Sequence, residues 1–144
     1  MPDTKVTAPY AAFLLRVSLG VLFLAHGALL KLGTFGLAGT MGFFGSIGYP
    51  PIFGAIVIAA EIGAGLALIA GVGVRVVSLL AVPIMIGATI QHIPNGWLFS
   101  APRGGWEFPA FWTVLLLVQA GLGAGAFALD ASRLRGRQAV PAKA

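Results

Sequence analysis

The sequence predicts an all-α membrane protein: an antiparallel bundle of four transmembrane helices with a short interfacial or re-entrant helix between helices 1 and 2. Only 9% of its residues are charged, against about 25% in ordinary soluble domains. Four apolar runs, at about residues 9–32, 51–71, 74–93 and 108–129, each have the length that crosses a bilayer. Because helices satisfy their own backbone hydrogen bonds in lipid, we interpret the runs as helices.

Composition also limits the chemistry and the partners. The chain has no cysteine, which excludes disulfides, thiolate metal sites and thiol redox chemistry within it. The net charge is +5, and many of the positive residues lie beyond the last apolar run, in residues 133–144. A basic tail beside a membrane segment indicates orientation and contact with anionic headgroups. We therefore expect a bilayer partner, no nucleic acid, one domain over residues 1–132 and a basic cytoplasmic tail over residues 133–144.

The first apolar run carries charges on one helical face. Residues on that face follow i, i+4, i+7 spacing and are Arg16, Gly20, Phe23, Gly27 and Lys31. The Arg16 side chain either snorkels to the cytoplasmic headgroups or reaches inward to Glu61 on the second run. We favour the pair with Glu61 because it neutralises two charges that are costly to bury.

The connection between the first two runs is rich in glycine. Glycine occurs at every third position from Gly33 to Gly48, with apolar residues at helical spacing between them. This pattern predicts a short helix at, or dipping into, the outer interface, ended by Pro50-Pro51. A loose re-entrant loop is the alternative, because so many glycines weaken a helix. Either structure would cover the outer end of the bundle.

Glu61 lies near the midpoint of the second run and is its only charged residue. A carboxylate at the centre of a bilayer costs about 2.5–3.5 kcal/mol on insertion scales. Such a group needs a partner, a proton or a water-filled cavity. Glu61 is therefore the leading candidate for a functional residue.

Polar residues in the second half of the chain complete the set of candidates. A three-residue link makes runs two and three an antiparallel hairpin, and His92 gives the third run a polar outer end. Trp97, in the predicted outer loop (residues 94–107, the outer loop from here on), fits an interfacial aromatic belt. Glu107 precedes the fourth run, where a negative charge suits a helix N-terminus. Gln119 lies within that run, and we expect its amide to hydrogen-bond another helix.

The distribution of lysine and arginine predicts the orientation. Four crossings place both termini on one side, together with Lys5, Arg75 and the basic tail. Lys31 and Arg103 fall on the other side. The positive-inside rule then predicts that both termini are cytoplasmic.

Short segments in a fixed order along the chain carry a family resemblance. They are Arg16-Val-Ser-Leu-Gly20, Phe23-Leu-Ala-His-Gly27-Ala-Leu-Leu-Lys31, Gly48-Tyr-Pro50, the segment from Glu61 to Gly71 with Arg75, and Gly123-Ala-Gly125-Ala-Phe-Ala-Leu-Asp130. In these segments the chain resembles the DoxX family of small four-helix bacterial membrane proteins. Ala126 and Ala128 stand where that family usually has polar residues near the end of the fourth helix.

The resemblance implies a multi-pass protein of the bacterial inner (cytoplasmic) membrane. It also implies relatives linked to quinone-dependent redox systems, including a quinone-reducing thiosulfate oxidoreductase subunit. Thiosulfate chemistry is not carried over, because this chain is shorter than that subunit and lacks cysteine. The implied partner is a peripheral or membrane oxidoreductase, and a homodimer is left open.

The first functional hypothesis is a redox-associated subunit with a quinone-sized cavity. Quinone reduction consumes protons, so its site needs an apolar slot with proton-carrying groups near the carbonyl oxygens. We expect Glu61 and Arg16 to form the polar floor of this cavity, and His26 and His92 its outer rim. The other candidate ligand-binding residues are Lys31, Gln119, Trp97 and Glu107.

Three other interpretations stay open at this point. His26 and His92 lie at similar outer depth on different helices, as two axial ligands of a b-type haem would, and with Glu107 they could equally hold a divalent metal. Two histidines without a further motif are a weak signal. We therefore expect no metal and no haem b. A non-catalytic scaffold or chaperone would dock a peripheral enzyme through the loops. A small proton-coupled transporter would use Glu61 as a proton relay. Whether the chain catalyses a reaction is left open.

Overall fold

The computed structural model describes residues 3–129, and these form helices and loops with no strand among them. The predicted basic tail and Asp130 lie outside the described residues. Five α-helices follow one another along the chain: α1 (Thr4–Leu24), α2 (Gly36–Ser46), α3 (Ile52–Ala70), α4 (Val74–His92) and α5 (Glu107–Leu122). Directly after α1 comes a π-helical segment, Ala25–Thr34, and a short 3-10 turn, Ile93–Asn95, follows α4.

The four longer helices form a closed ring. α1 packs against α3 and α5, α3 also packs against α4, and α4 packs against α5. α2 lies outside the ring, against α3 and the π-helical segment. The predicted all-helical bundle and the antiparallel hairpin of α3 and α4 are present.

Within residues 3–129, three helical segments are long and apolar enough to cross a membrane, namely Thr4–Thr34, Ile52–Ala70 and Val74–Asn95. Large apolar side chains such as Leu29 and Leu80 point outward from them, as the surface of a membrane helix requires. The predicted fourth run behaves differently, because its helix ends at Leu122 and Gly123 leaves the helical conformation. With 16 residues, α5 is about 24 Å long, shorter than the hydrocarbon core of about 30 Å. These lengths and apolar surfaces fit a helical membrane bundle. The fourth membrane crossing stays a prediction.

The predicted short helix between the first two long helices is α2. It ends at Ser46, before Pro50, and Gly48 follows with a φ of +88°. A Cβ on Gly54 of α3 would lie 2.9 Å from the Met41 Cα atom. α2 therefore approaches α3 so closely that the contact requires glycine at position 54.

Glycine also allows close contact between α1 and α3. A Cβ on Gly20 would lie 2.7 Å from Ile69 Cγ1, and one on Gly65 would lie 2.9 Å from the Gly20 carbonyl oxygen. Backbone packing of this kind is typical of membrane helices that meet at small residues. The contact fixes how far α1 is displaced along α3, and this offset decides which polar side chains meet.

The ring encloses one apolar cluster. Its buried members are Leu19, Phe23, Leu68, Val74, Ala81, Met85, Trp112 and Leu116. The Phe23 and Trp112 rings lie 4.7 Å apart, centroid to centroid, and join α1 to α5. Buried polar side chains therefore lie in a largely apolar interior, where each needs a hydrogen-bond partner.

Candidate functional site

Glu61 and Lys31 form a buried ion pair. Glu61 is only 4% exposed, and Lys31 Nζ donates to Oε1 and to Oε2 of its carboxylate, both at 2.8 Å. The side chain of Lys31 is 22% exposed against 5% for that of Glu61. The lysine is therefore the partner that retains access to the outside of the protein.

The π-helical segment and its neighbours build this ion pair. Gly27 lies against α3, where a Cβ would come 2.9 Å from Glu61 Cβ. Thr40 of α2 is buried and donates its hydroxyl to the Lys31 carbonyl oxygen at 2.9 Å. π-helical turns are rare and often occur at functional sites. Three elements thus hold Lys31 over Glu61, which makes the pair a built feature of the fold.

The predicted ion pair between Arg16 and Glu61 is wrong. Arg16 is fully buried, which also excludes snorkelling. Its Nη1 donates to the carbonyl oxygens of Leu68 at 2.6 Å and Ile69 at 2.7 Å, and its Nη2 donates to that of Ala126 at 3.2 Å. The offset between α1 and α3 places Arg16 beside the C-terminal turn of α3. There the free carbonyls and the negative end of the helix dipole attract a guanidinium.

Neither His26 nor His92 forms a hydrogen bond with Glu61. His26 Nδ1 donates to the Leu22 carbonyl oxygen at 2.9 Å, and its ring faces Trp112 of α5 at 5.1 Å between centroids. His92 Nδ1 donates to the Ala88 carbonyl oxygen at 2.7 Å, at the C-terminal end of α4. Each imidazole thus bonds its own helix through Nδ1.

The expected bond from Gln119 to another helix is also wrong. Gln119 is fully buried, but its Nε2 donates to the Gly123 carbonyl oxygen at 2.7 Å, just past the end of α5. Glu107 lies in the first turn of α5, where its Oε1 accepts a hydrogen bond from the Phe99 backbone N–H at 2.7 Å. Glu107 thus fixes the outer loop to the start of α5.

The outer loop and α5 enclose a groove that sequence reasoning missed. Its volume is about 520 Å³, and it is lined by Trp97, Phe99, Glu107, Phe108, Ala110, Phe111 and Val114. The prediction contained Trp97 and Glu107 but not the three phenylalanines. The density of aromatic residues between positions 97 and 112 was the available signal. We call this feature the aromatic groove.

Backbone contacts give the outer loop its shape. Asn95 Nδ2 donates to the Gly104 carbonyl oxygen at 2.8 Å, and the Glu107 N–H donates to that of Trp97 at 3.1 Å. A Cβ on Gly105 would collide with the Leu98 carbonyl oxygen. These contacts fold the loop back on itself and hold Trp97 at the mouth of the groove.

The aromatic groove and the ion pair are separate features. Neither the aromatic groove nor a smaller groove of about 210 Å³ between α4 and α5 is lined by Glu61 or Arg16. The ion pair joins the π-helical segment to α3, whereas the aromatic groove lies along α5. Neither groove is therefore the predicted cavity with Glu61 and Arg16 at its floor.

Comparison with a family model matches the part of the chain that holds the ion pair but not the aromatic groove. Residues 11–94 match the model of the DoxX family. A Bacillus subtilis (strain 168) protein with the name "Putative oxidoreductase CatD" is 40% identical over 78 residues, which cover 54% of this chain and 55% of that protein. The chain thus aligns with about half the length of this relative. A search of solved structures found no match. The family match includes Lys31 and Glu61 and ends before the residues of the aromatic groove.

Proposed function

The chain belongs to the DoxX family and has helices long and apolar enough to cross a membrane. We propose that it is a redox-associated membrane subunit that binds a quinone in the aromatic groove. The groove is the observation that carries this proposal. The word oxidoreductase in the name of the Bacillus subtilis relative supports the redox assignment. We place the protein in the bacterial inner membrane, with cytoplasmic termini and the groove near the outer face.

The groove suits a planar, apolar ligand. Small-molecule sites are typically 300–1,000 Å³ in volume, mostly apolar, with a few polar groups that orient the ligand, and the aromatic groove has about 520 Å³. Phe99, Phe108 and Phe111 offer ring faces and edges for stacking against a quinone ring. Phe111 and Val114 are exposed on the face of α5 that points away from the bundle. The groove would therefore open sideways into lipid, where quinones dissolve.

Glu107 supplies the polar group that quinone chemistry needs. Reduction of a quinone to a quinol takes up two electrons and two protons. In this proposal a separate oxidoreductase supplies both electrons, Glu107 donates a proton to one quinone oxygen and is reprotonated from water, and water supplies the proton for the other oxygen. Its Oε1 stays bonded to the Phe99 N–H, and its Oε2 would bond the quinone.

The ion pair has a different role in this proposal. Lys31 and Glu61 hold the π-helical segment against α3 without touching the quinone. Arg16 joins the end of α3 to residues beyond α5. Both interactions stabilise the bundle on which the groove is built.

Quinone binding to the purified protein in nanodiscs tests the proposal. A water-soluble ubiquinone analogue is titrated while the fluorescence of the tryptophans, including Trp97 in the groove, is followed. Phe111→Leu should weaken binding about 5- to 10-fold, since one aromatic contact is worth about 1 kcal/mol. Phe35→Leu is the matched control, because Phe35 is 60% exposed and Phe111 61%, but Phe35 lies away from the groove. Equal affinities for both variants would refute quinone binding in the groove.

A specific feature also supports the scaffold alternative. Trp97, Leu98 and Phe99 of the outer loop are more than half exposed, and such residues are frequent in protein interfaces. A soluble enzyme that co-purifies with the protein, and is lost when residues 97–99 are changed to serine, would support this alternative. Unchanged quinone affinity in that loop variant would contradict the quinone proposal.

A further inference from the structure

Three polar side chains are fully buried inside the ring of four helices. They are Arg16 on α1, Ser78 on α4 and Gln119 on α5, each 0% exposed. Each has one atom without a hydrogen-bond partner among residues 3–129, namely Arg16 Nε, Ser78 Oγ and Gln119 Oε1. A buried polar atom without a partner is strongly unfavourable. We call these three residues the polar layer.

Contacts between α1 and α5 place two of the three side chains at the same depth. Phe23 packs on Trp112 at 4.7 Å between ring centroids, and the Ala126 N–H donates to the Pro9 carbonyl oxygen at 2.8 Å. The first contact sets the antiparallel register of α1 and α5, and the second joins α1 to the segment after α5. Counted along the two helices from the Phe23–Trp112 contact, position 16 of α1 and position 119 of α5 are each seven residues, or about 10.5 Å, further on.

Contacts between α4 and α5 bring the third side chain to this depth. Arg75 Nη1 donates to the Ala120 carbonyl oxygen at 3.0 Å, and Ile86 and Thr113 line the same small groove further out. Counted from these two contacts, Ser78 lies opposite residues 117–121, within about one helical turn of 5.4 Å from Gln119. The Gln119 Nε2 atom donates to the Gly123 carbonyl oxygen, and a Cβ on Gly123 would lie 3.2 Å from Arg75 Nη2 of α4.

The three unpaired atoms have complementary hydrogen-bonding roles. Arg16 Nε can only donate, Gln119 Oε1 can only accept, and the Ser78 hydroxyl can do either. We propose that the polar layer binds an internal water molecule, which accepts from Arg16 Nε and donates to Gln119 Oε1 and to Ser78 Oγ. A buried water with three such partners is typical of protein interiors.

This water would join the whole ring. The Nη atoms of Arg16 already hold the C-terminal turn of α3 through the Leu68 and Ile69 carbonyl oxygens. Through the water, Arg16 would also be linked to Ser78 on α4 and to Gln119 on α5. The polar layer then connects all four long helices at one depth, independently of quinone binding.

The sign of one stability change tests the proposal. If water is bound, Ser78→Ala removes one of its partners and lowers the Tm of the protein in detergent or nanodiscs. If no water is bound, the same change removes an unpaired buried hydroxyl and leaves the Tm unchanged or raises it. Thr113→Val is the matched control, because its hydroxyl donates to the Pro109 carbonyl oxygen of its own helix. A fall in Tm for Ser78→Ala beyond that of the control is expected, and an equal or higher Tm overturns the proposal.

A structure of the unmodified protein at a resolution that shows water gives a second, independent test. The expected result is density for a water within about 3.2 Å of at least two of the three atoms. Direct hydrogen bonds among Arg16, Ser78 and Gln119 in place of that water would overturn the proposal, whatever the stability of the variants.

Discussion

Replacement of Lys31 by methionine tests the ion pair most directly. The change keeps much of the side-chain volume but leaves the Glu61 carboxylate, whose side chain is only 5% exposed, without its cation. We expect Lys31→Met to be strongly destabilising. Glu61→Met should be less so, because Lys31 is 22% exposed and its ammonium group can reach water or headgroups.

The distances in the structure set the magnitude. Both Nζ–O separations are 2.8 Å, at which the attraction is about 6 kcal/mol in an effective dielectric of about 20. Desolvation of the two groups offsets part of this attraction. Removal of one partner from a buried pair typically costs about 3–5 kcal/mol, whereas replacement of both partners by apolar residues is often neutral. The double variant should therefore be more stable than Lys31→Met alone.

Unfolding by sodium dodecyl sulfate in mixed micelles, followed by circular dichroism, measures these differences. Four proteins form a double-mutant cycle: the unmodified chain, Lys31→Met, Glu61→Met and the double variant. Lys5→Met, at an exposed position in the first turn of α1, controls for the loss of a lysine. The reasoning would be refuted if Lys31→Met were no more destabilising than Lys5→Met, or if the two single changes were additive.

Two further predictions concern packing and the Arg16 contacts, and the same unfolding assay measures both. Gly65→Val should destabilise the bundle by about 1–3 kcal/mol, because a Cβ there would lie 2.8 Å from Leu24 Cγ. A Cβ on Gly63 would have no atom within 4 Å, so Gly63→Ala should stabilise the bundle by at most about 1 kcal/mol. Equal effects of the two changes would contradict the close contact of α1 with α3. Arg16→Lys should cost about 1.5–3 kcal/mol for a lost charge-assisted hydrogen bond, because an ammonium cannot span the carbonyls of α3 and residue 126 as the planar guanidinium does. Arg103→Lys, in the outer loop, is its control, and an equal response to both lysine substitutions would argue against this role of Arg16.

Much of the fold could be predicted because lipid imposes few solutions on an apolar chain. The long apolar runs predicted helices, the link at residues 71–73 predicted the hairpin, and the apolar spacing between glycines predicted α2. The sequence also identified Glu61 as a buried charge that needs a partner. These features depend on local composition and on the length of the runs.

The partner of Glu61 could not be predicted in the same way. Arg16 and Lys31 share one face of the first helix, so periodicity favours neither as the partner. The choice depends on the offset of α1 along α3, which the contacts of Gly20 and Gly65 set in three dimensions. The π-helical segment has no signature in an apolar run. Periodicity alone could not reveal how that segment holds Lys31.

The aromatic groove was missed for a related reason. Its walls come from the outer loop and from the first two turns of α5. Backbone hydrogen bonds such as that of the Glu107 N–H to the Trp97 carbonyl oxygen fold the loop onto the helix. Nothing in the spacing of the aromatic residues indicates that Trp97 and Phe111 line one groove.

The π-helical segment also determines the direction in which the chain leaves the first membrane helix. An α-helix turns about 100° per residue, whereas a helix with i→i+5 bonds has about 4.4 residues per turn, or about 82° per residue. Over the ten residues of Ala25–Thr34, the difference amounts to about half a revolution. If residues 25–34 were α-helical instead, Phe35 would lie on the opposite side of the helix axis. The following helix, α2, would then point away from α3. The rotation along the π-helical segment thus decides whether the Thr40 hydroxyl of α2 can hydrogen-bond the Lys31 carbonyl oxygen.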